Sequence, residues 1–316
     1  MLSRVADALY WMGRYLERSE NLTRLLLVTE ELSTEVVGLD EDLAWAEWHD
    51  LERVFPGPEV CQDGSTPFLA AAHLAAYSFD ARNPSSLAFS LRKARENARA
   101  VREALTVEVF VALNDTWRDL EVYTGRTALD APTFREALSR VQRGILSTVG
   151  AIDHTLTRDQ AWLFLKLGES LERVVRTATV LRVKLPSLLA PEPKLGLPLV
   201  YTRWRALLRG LSSLENYRQA HGARIEPAHV LGFLLYSPDS PRSLRAGTAA
   251  VKAQLDRLAE GVAMAPCTRI IGRLAAELAY RDEGLAARSD PLPLLDQVLA
   301  ELMRTHDALS AQFFEA

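Results

Sequence analysis

Cysteine is nearly missing from this chain: Cys61 and Cys267 are the only two among 316 residues. They stand far apart and in no metal-ligand spacing, which argues against a disulfide scaffold or a zinc site and fits a reducing cytoplasm. Long apolar runs are missing too. No stretch of about 18 uncharged apolar residues occurs, so no membrane-spanning helix is expected. Arg4, Asp7, Arg14, Glu17 and Arg18 interrupt the N-terminal apolar positions before these can form the core of a secretion signal. A cytoplasmic protein is the expectation.

An excess of positive charge is also absent. With 37 basic and 41 acidic residues the net charge is −4, so no global field exists to hold nucleic acid or an anionic membrane, and neither is expected as a partner. Gly-x-Gly-x-x-Gly, the Walker loop, His-Glu-x-x-His and Gly-x-Ser-x-Gly do not occur, and no cofactor or metal is expected. Glu226 and His229 have the spacing of a di-iron ligand pair, but Pro227 sits between them and no second such pair exists. Trp45, Trp48 and His49 read as core or as partner surface before they read as a cofactor box.

What is present is ordinary globular composition, 48% hydrophobic and 25% charged, in a chain long enough for a sizeable core. Leu2, Val5, Leu9, Met12 and Leu16 recur at alternating three- and four-residue steps, the seam of a core-facing helix over about 2–37. Such a helix is roughly 50 Å long. Further helices are expected over 39–54, 67–79, 86–123, 132–148, 158–185, 201–210 onward, 226–235, 243–263, 268–281 and 292–314. Breaks are expected at Pro186 to Pro198 and at Pro238 to Pro241. No extended period-2 alternation appears, so the fold is read as all-α, a bundle of long helices.

Gly13-Arg14-Tyr15-Leu16-Glu17-Arg18 and Gly168-Glu169-Ser170-Leu171-Glu172-Arg173 share a Gly-x-x-x-Glu-Arg signature at positions 13 and 168, nearly half the chain apart. Asn83-Pro84-Ser85-Ser86-Leu87 resembles Ser240-Pro241-Arg242-Ser243-Leu244 at nearly the same offset, each placing a serine to cap a helix. The reading is one domain over 1–316 built from approximate repeat halves 1–150 and 151–316, with a polar site where the copies meet. Gly13 and Gly168 each cost about 1 kcal/mol in a helix interior, offset by close approach of another helix or of a ligand.

On a helical wheel Gly13, Glu17, Glu20, Asn21 and Arg24 share one side, flanked by Tyr10 and Arg14, while Arg18 points elsewhere. Neighbouring helical residues do not face each other, so Glu17 and Arg18 each need another partner. Arg92, Arg95, Arg99 and Arg102 are spaced to line one stripe of a single helix. A stripe of this kind clamps a carboxylate or phosphate, pairs with Glu17, Glu20 and Glu172, or is simply a solvated face beside Glu96 and Glu103. Its counterparts in the second half are Ala249, Lys252, Asp256 and Ala259, so an anion site belongs to one half only.

Leu9 to Asn21, together with Leu167 to Arg173 and Arg95-Glu96-Asn97-Ala98-Arg99, resembles the alpha-E family, a bacterial all-helical group named for its Glu-Arg motif. The resemblance spans most of the chain. It implies a genomic or fused association with circularly permuted ATP-grasp proteins, which join a carboxylate to an amine through an acyl phosphate, and with transglutaminase-like and proteasome-like peptidases. An ATP-grasp protein, with a peptide substrate as a second candidate, is therefore the implied partner. The resemblance transfers no catalytic residue, and Glu169 and Ser170 stand where the first copy has Arg14 and Tyr15.

Three readings follow. In the first, the chain is an accessory protein that binds an ATP-grasp ligase or its peptide through Arg14, Glu17, Arg18, Asn21, Arg92, Arg95, Arg99, Arg102, Glu172 and Arg173. In the second, it is an enzyme acting on an amide or acyl phosphate with Glu17 or Glu172 as acid or base. In the third, the Glu and Arg pairs are architectural.

Overall fold

The computed structural model describes residues 1–57, 70–124, 129–190, 196–260, 266–281 and 290–315. Among these residues every regular element is a helix. By its contacts the chain separates into two compact units, Trp11–Trp162 and Met1–Tyr10 with Leu163–Ala316.

The unit Trp11–Trp162 takes most of α1 (Ser3–Val36), then α2 (Glu41–Val54), α3 (Ala70–Ser78), α4 (Leu87–Ala100), α5 (Val107–Glu121) and α6 (Ala131–Thr155). Asp40 caps α2 by accepting from the Leu43 amide, and Ser33 accepts from the indole of buried Trp48 at 3.1 Å, tying α2 to α1. The α5 and α6 helices pack as an antiparallel pair. Thr106 and Thr155 meet through their hydroxyls at 2.6 Å at one end. Further along, Gly144 lets α6 approach so closely that a Cβ there would lie 2.5 Å from the Thr116 hydroxyl. Phe79 stacks on Phe134 at 5.3 Å between ring centres, closing the core beneath α6.

The other unit takes the start of α1 with α7 (Gln160–Leu189), α8 (Leu197–Gly210), α9 (Leu214–His221), α10 (Pro227–Tyr236), α11 (Leu244–Leu258), α12 (Pro266–Ala279) and α13 (Leu292–Phe313). Every residue of α10 from Val230 to Tyr236 is buried, so this helix is apolar all round. Tyr10 bonds His306 of α13 at 2.8 Å, and Phe164 of α7 meets Phe313 edge-on at 5.5 Å. Gly247 of α11 sits directly under Val174 of α7, where any Cβ would collide with the valine methyl.

The helices expected from periodicity are present, though α6 runs to Thr155, beyond the expected 148, and α9 stands apart after α8; two further differences concern breaks. The single helix expected over 86–123 is two. α4 ends at Ala100, a 3-10 turn covers Arg102–Ala104, and Thr106 opens α5. No Gly or Pro marks this break. A threonine followed by Glu108 in the first turn is the only local signal, and it is as common inside helices as at their starts. The second correction concerns Pro186, where a break was expected. α7 instead continues to Leu189 with Pro186 inside it. The lost amide falls in the last turn, and Arg203 of α8 donates to the Ser187 carbonyl at 3.3 Å and to its hydroxyl at 2.9 Å, satisfying that end. Residues 67–69, 191–195 and 261–263 of the expected elements and breaks, and Cys61, lie outside the described residues.

Both expected serine caps are in place. Ser86 accepts from the Phe89 amide and Ser243 from the Ala246 amide, each at 3.0 Å. Each hydroxyl also donates to a carbonyl six residues back, Ser86 to Asp80 at 2.7 Å and Ser243 to Ser237 at 2.5 Å.

Candidate functional site

α1 carries its polar residues inward. Arg14, Glu17, Glu20, Asn21 and Arg24 are all buried, and Glu17 is only 4% exposed. Burial of charge at this density requires mutual satisfaction, because an unpaired buried charge is costly. A four-residue helical spacing supplies it. The Asn21 amide donates to the Glu17 carboxylate at 2.7 Å and to its backbone carbonyl at 2.8 Å. The Asn21 carbonyl in turn accepts from Arg24 at 2.9 Å, and Arg24 closes the chain on Glu20 as an ion pair. Glu17, Glu20, Asn21 and Arg24, placed on one side by the wheel, are thus joined in one network. Arg14 lies over the Trp11 ring at 4.9 Å instead. Arg18, half-buried, lies over Tyr15 at 5.4 Å.

α7 carries the second motif in a different arrangement. Glu172 is fully buried and accepts from Arg176 at 2.8 Å, the residue one turn on. Glu169 is held between Lys166 at 2.6 Å and Arg173. Ser170 accepts from Gln254 of α11 at 3.0 Å. The second motif therefore places a carboxylate where the first places Arg14, and a cation, Arg176, where the first places Asn21. Lys166 and Arg176 were not singled out from the sequence. Their positions three and four residues from a glutamate on the same helix are the signal that identifies them. Gly13 and Gly168 are both buried.

The four arginines predicted to form one stripe of a single helix take different partners. Arg92 donates to the Ala81 carbonyl at 3.1 Å and faces Glu96 at 3.8 Å. Arg95 donates to Asn114 of α5 at 2.6 Å. Arg102 lies off α4, in the 3-10 turn, over the Phe110 ring at 4.5 Å. Arg99 is exposed. Among the described residues Arg95, Arg99 and Arg102 make no ion pair. Among the described residues none of the four bonds Glu17 or Glu20.

Two further polar clusters were not found from the sequence. Glu30, buried on α1, is gripped by Arg135 of α6 through two bonds of 2.7 Å, a fork geometry that only arginine offers a carboxylate. Glu52 of α2 stands between His49 and His73, 3.1 Å from each. Both join residues on helices distant in sequence or adjoin such a contact, which periodicity does not reveal. The Tyr77 hydroxyl nearby is pushed up to about 12 by burial and, second, by the Glu52 carboxylate. Glu226 and His229 lie 3.5 Å apart, and no group of three metal-ligating side chains with suitable geometry occurs among the described residues. No helix among them is long and apolar enough to cross a membrane.

Cavities among the described residues include two framed by these elements. One of about 240 Å³ is lined by Glu30, Thr34, Leu74 and Phe134 among others. The other, about 190 Å³, is lined by Tyr236, Arg281, Asp290 and Gln297 with leucines and prolines. Neither is lined by Glu17 or Glu172.

The chain is similar to uncharacterised proteins of two mycobacteria. It is 26% identical over 255 residues to one of Mycobacterium bovis and 25% identical over the same length to one of Mycobacterium tuberculosis, covering 76% of this chain in each case. The match covers 28% of those relatives' own length. No solved structure matches. A family model described as a predicted alpha-helical domain with a conserved ER motif matches residues 1–314, and this chain carries a Glu-Arg pair on α1 and another on α7. The chain belongs to the Alpha-E family.

Proposed function

We propose that this protein is a helical accessory module that binds an ATP-grasp peptide ligase or its peptide substrate in a peptide synthesis or modification system. Family membership supports this, as does the match of the chain to about a quarter of much longer relatives, the pattern of a module that works beside other domains. The observation that carries it is the surface along α4 and the turn after it, where half-buried Arg95 and Arg102 and exposed Arg99 have no carboxylate to neutralise them. Guanidinium groups in that state favour a carboxylate-bearing partner. The glutamates of the motif are occupied already, Glu17 by Asn21 and Glu172 by Arg176. That occupation favours a holding role over a proton-transfer role.

Capture of the cognate ATP-grasp protein on immobilised chain tests the reading. A complex at micromolar concentration is expected, and its absence with and without ATP and peptide counts against the proposal. A second reading is favoured by the buried Glu17–Asn21–Arg24–Glu20 network itself: the Glu-Arg motifs organise the helix core. On that reading Glu17→Gln lowers the melting temperature and leaves ligase capture unchanged. Loss of capture at an unchanged melting temperature would instead make Glu17 part of the contact.

A further inference from the structure

The α5 helix buries Val109, Leu113, Thr116, Trp117 and Leu120. Its opposite side is not polar throughout. Val107 is 60% exposed and Val111 49% exposed, one helical turn apart, and Phe110 beside them is half-exposed. Isolated exposed valines need no explanation. These, however, form a ridge on one side of a helix, and that side adjoins the arginines of α4 and the turn that follows it. Arg102 covers the Phe110 ring at 4.5 Å and Arg95 reaches Asn114, one turn beyond Phe110, at 2.6 Å. Arg99 lies between Arg95 and Arg102 in the chain, exposed and without a hydrogen bond or ion pair. Nearby Glu96 is already matched by Lys93 at 2.8 Å. The surface is thus an apolar ridge with three uncompensated cations along one border, in a chain whose net charge is −4.

We propose that this surface, Val107, Phe110 and Val111 bordered by Arg95, Arg99 and Arg102, docks an acidic amphipathic helix of a protein partner. Aliphatic side chains of that helix cover the ridge and its carboxylates meet the guanidinium groups. A nucleic-acid backbone offers nothing to cover the valines, and Glu103 and Glu108, exposed on the same turn and on α5, repel a continuous polyanion. A protein helix, whose charges are discrete and spaced, avoids them.

The inference rests on the chain being a binding module, and its test does not depend on the ligase. A labelled synthetic helix with leucines at three- and four-residue spacing and glutamates on the flanks is titrated against the whole protein. A peptide of the same composition with the spacing scrambled, an oligothymidylate and phosphatidylglycerol vesicles serve as the other arms. The acidic helix is expected to bind alone, about tenfold more weakly to the R95E/R99E/R102E variant and to V107D/V111D. Because Arg95 and Arg102 also contact α5, Arg99→Glu, at an exposed side chain with no hydrogen bond or ion pair, separates binding from folding, and it too should weaken binding. Undiminished affinity in these variants, equal binding of the scrambled peptide, oligothymidylate or vesicles, or no binding of the acidic helix overturns the inference. Failure of the ligase to bind, with the peptide result as expected, counts against the accessory reading alone.

Discussion

Glu30 and Arg135 show most plainly what a single residue does here. The carboxylate is buried, and its two short bonds both come from one guanidinium group half open to solvent, with the Thr34 hydroxyl farther off at 3.5 Å. Removing the arginine leaves a charge inside with only the Thr34 hydroxyl, at 3.5 Å, as donor, which is far more costly than losing an exposed pair. Arg135→Ala is expected to destabilise by about 2–3 kcal/mol in urea melts, and changing both residues to methionine should recover much of that loss. Tyr77 supplies a pH signature. An unfolded tyrosine ionises near pH 10, whereas the folded hydroxyl is held at about 12 by burial and by Glu52. Between those values the folded chain keeps a proton that the unfolded chain has lost, so stability falls as pH rises through the window. Tyr77→Phe should flatten that part of the profile relative to wild type, by no more than about 2–3 kcal/mol across it. An unchanged alkaline slope in the variant would mean that the hydroxyl does not carry the effect.

At the scale of elements, the informative positions are the helix starts. Ser86 and Ser243 each accept one amide and donate to one carbonyl, fixing the turn before α4 and the turn before α11 alike. Ser86→Ala and Ser243→Ala are each expected to lower stability by about 1–2 kcal/mol, read as the shift in thermal midpoint. These caps were legible because Pro and Ser at a turn have a local meaning that neighbours do not alter. The divide between α4 and α5 was not legible, since the sequence across it has helix formers and no breaker. What ends α4 is the docking of Arg102 on Phe110 and the meeting of Thr106 with Thr155 of α6, both contacts that exist only once α5 has folded back. Pro186 fails as a stop for a related reason. The lost hydrogen bond lies in a final turn that Arg203 of another helix stabilises.

At the scale of the whole molecule, net charge misleads about binding. An overall charge of −4 coexists with an edge of three uncompensated arginines, and screening acts on that edge and not on the sum. Capture of the ATP-grasp protein is therefore expected to weaken steadily as salt rises from about 0.05 to 0.5 M, where the Debye length falls severalfold. Capture indifferent to salt would place the contact on apolar surface alone.

Periodicity and caps determined by themselves that this chain is helical and where most of its helices lie, because a 3.6-residue repeat and a capping hydroxyl act within a few residues. The sharing of one side of α1 by Glu17, Glu20, Asn21 and Arg24 followed from the same repeat. Which partners the buried charges take was decided only in three dimensions. Glu30 finds Arg135, Glu52 finds His73, and Arg95 finds Asn114 instead of a glutamate of α1. Those choices turn on which helices come into contact, and a pairing across 105 or 19 residues leaves no trace in local spacing.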